Sequence, residues 1–388
     1  MACSRRPCCG VNGAVLKVGL IVGLGLFIAL SGLASYAVFP TVLKSQVEAN
    51  LVLEPGNEVF SSWEQVPIPI YVSYYLFNVT NPEGILEGSE KPRLQEVGPF
   101  TFRETRHKVN VSWHEDGTVS YRQVKRYYFQ PDKTHGSFDD VIVALNVPMV
   151  SAVYTSRYHE FFRFAISSLI QDSKSSLFVK RQVRELLFEG YEDSLIDAAL
   201  DMDMDVPADK FGWMYGKNGS DDGQYSIFSG LKGMQDYGYV DKFNGMSNMT
   251  AYHGHCNTIS GTTGEMWPPE MLESADNVEL FIADFCRSIR LRYLTDVVSH
   301  RVKLRRYWAD NQLFNSTVPE NRCFCSDLCF PSGVLNVSAC QHGVLLCRSA
   351  LCRVLPALFV RGPFLRGCRR RAEARPREAS LSHGHRTC

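Results

Sequence analysis

The chain has 388 residues, 45% of them hydrophobic, and its 41 basic and 41 acidic residues balance to a formal charge of zero. This length allows two or three domains, or one large β-rich domain. The charge distribution gives no sign of a nucleic-acid-binding module, because the local excess of arginine lies in an atypical segment after residue 343.

The first predicted element is an apolar helix. Val18–Phe39 holds 22 consecutive residues without a charge and is followed by Pro40. A helix of this length rises about 33 Å, enough to cross a hydrocarbon core of about 30 Å. The stretch exceeds the roughly 7–15 apolar residues of a cleaved signal peptide, although Ala34–Ala37 offers a small-residue cleavage site. We predict an uncleaved transmembrane signal anchor over residues 18–39, with a cleaved signal as the alternative.

The flanks of this segment predict its orientation. Three basic residues precede it: Arg5, Arg6 and Lys17. Because positive charge favours the cytoplasmic side, we expect residues 1–17 in the cytoplasm and the chain after Pro40 outside the cell or in a lumen. Three cysteines also precede the segment: Cys3, Cys8 and Cys9. On the cytoplasmic side they are either candidates for palmitoylation or free thiols.

From Pro40 to about Pro148 the sequence predicts strands and turns. Alternating, β-branched or aromatic segments are typical of half-buried antiparallel strands. These segments are Ile68–Phe77, Pro99–Arg103, Val109–Trp113 and Thr118–Val124. Glu115-Asp116-Gly117 is a hairpin signal between the last two.

Residues 151–200 change to helical periodicity. An apolar stripe is formed by Phe161, Phe162, Ala165, Ile166, Leu169 and Ile170. Ser173–Ser176 interrupts the pattern, and we predict a second helix over Leu177–Leu187. Six basic residues lie around these helices: Arg157, Arg163, Lys174, Lys180, Arg181 and Arg184. From the residues alone, they are either a solvated helix face or a binding surface for anions.

The sequence gives no positive signal for catalysis, a metal or a cofactor. Asp201–Asp205 alternates as an EF-hand loop begins, but Val206 and Gly212 stand where that loop needs Gly and Glu. His253, His255 and Cys256 have the residue types of a zinc site, but we assign Cys256 to a disulfide. No nucleophile elbow, Walker loop or HExxH motif is present. We therefore predict that the protein is not an enzyme.

The region after the predicted anchor has the features of an exported, glycosylated protein. Six cysteines lie between Cys256 and Cys340, an even number that allows 15 disulfide pairings. Six N-x-[ST] acceptors all follow the anchor: Asn78, Asn110, Asn218, Asn248, Asn315 and Asn336. Their placement on the predicted outer side supports a glycosylated ectodomain.

Several motifs resemble the class B scavenger receptor family, which includes the fatty-acid translocase, the high-density-lipoprotein receptor and the lysosomal integral membrane protein. The motifs are Asn81-Pro82, Glu96–Glu104, Leu145–Pro148, Arg184–Leu187 with Gly190-Tyr191, Lys210–Gly212, Cys256-Asn257 with Gly261-Thr262, Trp267–Pro269, Cys286–Ser288 and Gly333–Leu335. They cover roughly residues 1–341. Glu189 interrupts the family's Leu-Leu-aromatic-Gly-Tyr run, and His300–Tyr307 replaces a Gly-Ile-Pro segment and the strand after it.

The resemblance implies a mixed α/β fold: a membrane-anchored ectodomain over residues 40–343, built as an antiparallel β-barrel with an apical helical bundle at about 151–200. It also implies an apolar tunnel for lipid and three disulfides in the region 256–340. The implied pairs are Cys256–Cys323, Cys286–Cys340 and Cys325–Cys329. Lys174 lies in the family's ligand-docking motif, and we expect Arg163, Lys180 and Arg181 to contribute to the same apical site.

The implied function is a plasma-membrane receptor that binds lipoprotein particles and passes lipid toward the membrane. Its expected ligands are phospholipid, fatty acid or cholesteryl ester, and a homo-oligomer is left open. One alternative is a receptor of the lysosome membrane that carries a lysosomal enzyme. Another is a truncated product that does not transport lipid.

The resemblance ends after about Gly343. Residues 344–388 contain ten Arg, two Glu and four Cys, and resemble a frameshifted or alternatively spliced end. Their longest uncharged apolar run, Val354–Val360, is too short to span a membrane. We expect this segment to be disordered. Without the family's later strands, we also expect an open-sided or unformed tunnel and poor lipid uptake.

Overall fold

The computed structural model describes residues 13–156, 160–173, 175–202, 206, 208–325, 329–335, 337 and 340. The chain divides into two compact units, residues 1–59 and 60–388, and each is described by itself. The helices are α1 (Gly13–Leu51), α2 (Glu58–Glu64), α3 (Pro82–Leu86), α4 (Val147–Ser156), α5 (Glu160–Asp172), α6 (Ser194–Asp201) and α7 (Pro269–Ser274). The strands are β1 (Ile70–Val79), β2 (Leu94–Trp113), β3 (Thr118–Phe129), β4 (Val141–Leu145), β5 (Phe178–Gln182), β6 (Asp221–Phe228), β7 (Val240–Phe243), β8 (Asn277–Ile282), β9 (Arg287–Ser299) and β10 (Val302–Trp308).

The N-terminal unit consists mainly of α1. Within the described residues, α1 is the one helix long and apolar enough to cross a membrane. It passes through Pro40 and ends at Leu51. The prediction of strands and turns from Pro40 onward is therefore wrong for residues 40–51, and also for α2. Proline removes one backbone donor and strains the preceding turn, but a long helix propagating on both sides can tolerate this.

The second unit is organised around an antiparallel sheet. Five strands pair in the order β1-β2-β3-β6-β7, and three more in the order β10-β9-β8. The predicted strands 99–103, 109–113 and 118–124 are confirmed within β2 and β3, and the predicted strand 68–77 is confirmed from Ile70 onward in β1. Two of them form the single strand β2, which is interrupted by a bulge between Val109 and Ser112, where Asn110 adopts a left-handed backbone.

A two-residue segment joins the two sheets. Thr262 is fully buried, and it bridges Tyr239 on one side and Leu280 on the other. Its neighbour Gly261 accepts a hydrogen bond from the Val240 amide at 2.9 Å. Together the strands form one curled antiparallel sheet, a half-barrel. Among the described residues its edge strands are β1 and β10, so the predicted barrel is confirmed only to this extent.

The helical prediction for 151–200 is right for α5. The predicted helix Leu177–Leu187 is wrong over Phe178–Gln182, and only its end, from Glu185, is helical, as part of a π turn. The structure has strand β5 over Phe178–Gln182, which pairs antiparallel with β4. Pairing with β4 provides hydrogen-bond partners for the backbone N–H and C=O groups of this short segment, and it outweighs the helical pattern of the sequence. A π-helical turn follows at Glu185–Glu189, closed by a bond from the Gly190 amide to the Glu185 carbonyl at 3.1 Å. This wider turn accommodates Glu189 while Leu186 and Leu187 stay buried.

Aromatic and aliphatic side chains fill the space between the first strands and this π turn. Phe102 lies 4.7 Å from Phe188 and 5.4 Å from Phe138, measured between ring centroids. The buried members of this cluster are Phe100, Phe102, Ile142, Val183, Leu186, Leu187 and Tyr191. Their packing fixes β5 and the π turn against the sheet.

Candidate functional site

The predicted basic site lies on α5, on β5 and in the segment between them. Helices α4, α5 and α6 contact one another, which supplies a helical platform for the first of these elements. Arg163 on α5 is exposed. Lys174 and Arg157 lie outside the described residues, so their part in the site stays a prediction.

The two basic residues on β5 have different surroundings. Lys180 is exposed, whereas Arg181 is half-buried and its guanidinium lies 5.0 Å from the centre of the Tyr191 ring. Successive side chains of a strand point to opposite faces, which accounts for the difference. Arg163 and Lys180 are therefore available to an anion in solution, while Arg181 is engaged with an aromatic ring.

Arg184 is also held by neighbours. Its guanidinium pairs with Asp139 and, at 3.6 Å, with Glu189, and it lies 5.7 Å from the centre of the Phe138 ring. Two carboxylates therefore neutralise this arginine locally. The basic residues predicted from the sequence therefore differ in availability, because Arg181 and Arg184 contact neighbours within the fold.

The disulfide region contains three disulfide bonds. They join Cys256 to Cys323, Cys286 to Cys340 and Cys325 to Cys329, which are the pairs that the family resemblance implies. In the chain-entropy model, the first two loops each stabilise the fold by about 4 kcal/mol. Cys286 has a left-handed backbone with φ 49°, and it places Arg287 at the start of β9.

One group of side chains has the residue types of a metal site. His255, Cys256 and Cys323 bring their ligand atoms within 4.8 Å of one another. The His255 Nε2 atom lies 3.2 Å from the Cys323 sulfur. Both sulfurs belong to the same disulfide, so neither is a thiolate able to bind a cation. In this oxidised state the group does not provide a zinc ligand set.

The glycosylation acceptors differ in accessibility. Asn110, Asn218 and Asn248 are exposed. Asn78 and Asn315 are half-buried, and their side-chain oxygens accept hydrogen bonds from the amides of Val143 and Thr317. Asn336 lies outside the described residues, as do the palmitoylation candidates Cys3, Cys8 and Cys9.

A buried ion network crosses the inner part of the second unit, and sequence reasoning missed it. Lys108 is 1% exposed and pairs with Glu265. Arg106 pairs with Glu265 at 3.3 Å and with Glu104 at 2.6 Å. The Lys108 ammonium also lies 5.2 Å from the centre of the Trp63 ring. Glu104, Arg106 and Lys108 stand at alternate positions of β2, a spacing that indicates a shared face of the sheet. Nothing in the sequence indicated their contact with Glu265.

A second buried group holds two carboxylates against one lysine. Lys125 pairs with Asp222 and, at 3.1 Å, with Asp284. Burial raises the pKa of the Asp222 carboxyl above its ordinary value, and the negative charge of Asp284 raises it further. The pKa of Lys125 is also raised, because the two carboxylates outweigh the effect of burial. This arrangement favours a proton on Asp222 in acid.

We expect Asp222→Asn to change how stability depends on pH. A carboxyl whose pKa is raised on folding contributes stability below its unfolded pKa, near 3.8, and loses that contribution as pH rises through its folded pKa. As pH falls from neutrality, the unfolding free energy should therefore shift in favour of the wild type relative to the variant. Denaturant unfolding at several pH values measures this difference. Asp241→Asn, at a surface pair with Lys242, is the control, and a difference independent of pH would contradict the assignment.

Comparison with known proteins adds to this geometry. The family profile described as the CD36 family matches residues 21–350. Scavenger receptor class B member 1 of Bos taurus is 35% identical over 329 residues, which are 83% of this chain and 64% of the relative. The protein of the same name from Sus scrofa is 36% identical over 348 residues, which are 87% of this chain and 67% of the relative.

A second group of relatives has a different name. Lysosome membrane protein 2 of Homo sapiens is 34% identical over 342 residues, which are 87% of this chain and 69% of the relative. The chain thus spans about two thirds of the length of these curated relatives. The matched region includes the curled sheet, the basic residues on α5 and β5, and the disulfides.

Proposed function

Because this chain belongs to the CD36 family, we propose that it is a class B scavenger receptor that binds lipoprotein particles at the cell surface. Its ligands would be phospholipid, fatty acid or cholesteryl ester, which it would pass toward the membrane. The similarity to scavenger receptor class B member 1 along 83% of the chain is the observation that carries the proposal. The matched region covers 64% of that relative's length.

Helix α1 supports membrane anchoring of this receptor. Its apolar side chains are exposed along the helix, as lipid contact would require. The basic residues before it support an N-terminus in the cytoplasm, and we propose that the second unit lies outside. In this topology the disulfides would form in an oxidising compartment, and the glycosylation acceptors would meet the glycosylation machinery.

Glycosidase treatment tests this topology. We expect the full chain, made in microsomes, to gain several glycans and to lose them on digestion with an N-glycosidase, with a stepwise shift in gel mobility. Asn248→Gln should remove one step, because Asn248 is exposed. The absence of any shift in the wild-type chain would contradict an outer location of the second unit.

The docking step is proposed for the basic residues on α5 and β5. A lipoprotein or phospholipid surface is anionic, and exposed cations increase its rate of encounter. Arg163 and Lys180 are exposed in the structure, and Lys174 is assigned to the same site from the family motif. The burial of lipid chains that follows is driven by roughly 0.8 kcal/mol per CH₂ group removed from water.

Charge reversal at the basic residues tests the docking step. We expect Lys174→Glu and Lys180→Glu each to weaken binding of anionic lipoprotein to cells expressing the chain, by roughly threefold to tenfold at low salt and less at physiological salt. Lys303→Glu is the control, because Lys303 is an exposed lysine on β10. Equal surface expression must be verified by surface biotinylation and immunoblotting. Binding unchanged at both salt concentrations would remove Lys174 and Lys180 from the site.

A lysosomal receptor is the second candidate function. Its support is the 34% identity to lysosome membrane protein 2 of Homo sapiens. In this case the second unit would face the lysosomal lumen and would carry a lysosomal enzyme. Surface biotinylation compared with lysosomal fractionation distinguishes the two locations. Recovery of nearly all the protein in lysosomes, with no biotinylated fraction, would favour this candidate.

A further inference from the structure

The segment that replaces the family's Gly-Ile-Pro motif is rich in basic residues. Four of the six residues from Arg301 to Arg306 are lysine or arginine. They end in the adjacent pair Arg305-Arg306, with Lys303 and Arg301 three and five positions before the second arginine. No other adjacent basic pair in the described part of the second unit has a basic residue at either of those positions.

These residues lie at the start of an accessible edge strand. Among the described residues β10 pairs with β9 alone, so its other backbone edge has no strand beside it. Arg301, Lys303 and Arg306 are exposed, and the Lys303 side chain is 75% exposed. Recognition grooves take up an extended peptide through main-chain hydrogen bonds and hold its side chains in pockets. Strand β10 already has the extended form that such a groove requires.

The pairing of β9 with β10 is irregular at the bond between Arg306 and Tyr307. Arg306 lies opposite Thr295. Tyr307 lies opposite Tyr293, which leaves Leu294 without a partner on β10. Such a bulge disrupts the hydrogen-bond ladder locally. Local opening of the hairpin at this bond therefore separates fewer paired groups than opening at a regular position.

Arg305 is the one member of the basic group that is half-buried. Its guanidinium lies 4.3 Å from the centre of the Tyr293 ring, and no hydrogen bond to its buried Nη1 atom is found among the described residues. Because Tyr293 belongs to β9, opening of the hairpin at the bulge releases this arginine to solvent. All four cations then become available together.

The other two basic pairs of the described second unit are less accessible. Lys125-Arg126 lies in β3, which pairs with β2 on one side and with β6 on the other, and Lys125 is buried. Lys180-Arg181 lies in β5, where Arg181 is half-buried against the Tyr191 ring. The sequence and the structure therefore single out the same pair, the one in β10.

We propose that residues 301–306 are the recognition site of a secretory-pathway endoprotease that cuts after paired basic residues, and that it cuts the Arg306–Tyr307 bond. An acidic pocket of the protease selects the basic residue before the cut bond, and the other cations complement further acidic pockets of its groove. The reaction consumes one water. The C–N bond breaks, the Arg306 carbonyl carbon gains the hydroxyl and the Tyr307 nitrogen gains the hydrogen.

The two products stay joined by covalent bonds. Two disulfides, Cys256–Cys323 and Cys286–Cys340, connect the part of the chain before the cut to the part after it. The mature protein is then a two-chain form that separates only on reduction. The cut rests on the proposed outer location of the second unit, where such proteases act, and it is independent of lipoprotein docking at α5 and β5.

Expression of the full chain in cells tests the cut. The chain carries an epitope tag after Cys388 and is immunoblotted after N-glycosidase digestion. We expect the tag at the position of the intact chain without reduction, and on a fragment of about a fifth of the chain with reduction. Sequencing of this fragment should begin with Tyr-Trp-Ala-Asp, at Tyr307. A glycosylated chain that yields no fragment on reduction, or a fragment that begins elsewhere, would overturn the site.

Variants of exposed arginines test the recognition. Arg306→Gln should lower the yield of the fragment by about tenfold or more, because an uncharged residue then precedes the bond, and Arg301→Gln should lower it about threefold. Surface biotinylation of both should match the wild type, since both residues are exposed. Arg290→Gln on β9 is the control and should be cut like the wild type, because it lies outside residues 301–306. A fragment of undiminished yield in Arg306→Gln would overturn the proposal.

The purified chain separates the site from the topology. The full chain is made in cells treated with a chloromethyl ketone inhibitor of such proteases, washed, and placed in nanodiscs. A purified subtilisin-like protease specific for paired basic residues should cut it after Arg306 at least about tenfold faster than in β3 or β5. No cut after Arg306 in this native chain would overturn the site. A cut here, with an uncut and unglycosylated chain in cells, would support the site and contradict the outer location.

Discussion

Replacing Gly261 by alanine is expected to destabilise the second unit by about 3 kcal/mol or more. A Cβ at this position would lie 2.1 Å from the Glu279 carbonyl oxygen, and the backbone has φ +83°. The clash is with backbone, so no side-chain rotation relieves it. The segment must move away from β8, which breaks the bonds from the Thr262 amide to Glu279 and from the Phe281 amide to Thr262.

The matched control is Gly245→Ala. Gly245 has a similar left-handed backbone, φ +78°, but open space where the Cβ would be. This control isolates the cost of the backbone conformation, about 1–2 kcal/mol. Guanidinium unfolding followed by tryptophan fluorescence measures both, and all five tryptophans lie after residue 60. Equal destabilisation by the two substitutions would show that the connection between the sheets does not depend on the close contact of Gly261 with the Glu279 carbonyl.

The second large effect is expected for Glu265→Gln. The substitution removes the carboxylate that pairs with Lys108 and Arg106 and leaves a buried excess of positive charge. Breaking a buried pair on one side typically costs about 3–5 kcal/mol. Burial already lowers the pKa of Lys108, and Glu265 opposes that effect. Without Glu265 we expect Lys108 to lose its proton more readily, so the loss of stability should shrink as pH rises toward the unfolded pKa of lysine.

Two further variants make this test specific. Adding Lys108→Met to Glu265→Gln should recover much of the lost stability, because no unpaired lysine then remains. Asp296→Asn breaks the exposed pair with Lys303 and should cost less than about 1 kcal/mol. Guanidinium unfolding at pH 7 and pH 9.5 measures all four proteins. A double variant as unstable as Glu265→Gln alone would show that the network has another role.

Local patterns in the sequence predicted the parts of the fold that local patterns control. The β-branched and aromatic residues of Ile68–Phe77 and Thr118–Val124 predicted strands correctly, although the start of β3 is buried on both faces. The apolar stripe of Phe161–Ile170 predicted α5. In α5 the apolar period is helical, and Ala165, Ile166, Leu169 and Ile170 are half-buried, but Phe161 of the predicted stripe is 78% exposed.

The errors occurred where contacts distant in sequence decide the structure. Phe178–Gln182 is a strand because β4, some 35 residues earlier, pairs with it. The same holds for the ion network, where Glu265 meets Arg106 and Lys108 across more than 150 residues.

The candidate docking site stays a prediction, and the structure adds the surroundings of its described residues. The sequence identified Arg163 and Lys180, which are exposed, but it could not distinguish them from Arg181 and Arg184, which contact neighbours within the fold. The distinction depends on which face of β5 each side chain occupies, and the wrong assignment of this segment as a helix concealed it. Lys174 remains a prediction from the family motif.

Among the described residues, β10 is an edge strand, and its charges bear on self-association of this protein. Its sequence, Val302–Trp308, contains Lys303, Arg305 and Arg306 among apolar side chains. Suppose that two copies paired antiparallel through β10, with Arg305 at the centre of the pairing. The two Arg305 side chains would then face each other, and the two strands together would carry six basic residues. Like charges opposed across strands are destabilising, and charged edges are a common protection against aggregation. Pairing of two copies of this chain through β10 is therefore disfavoured by charge.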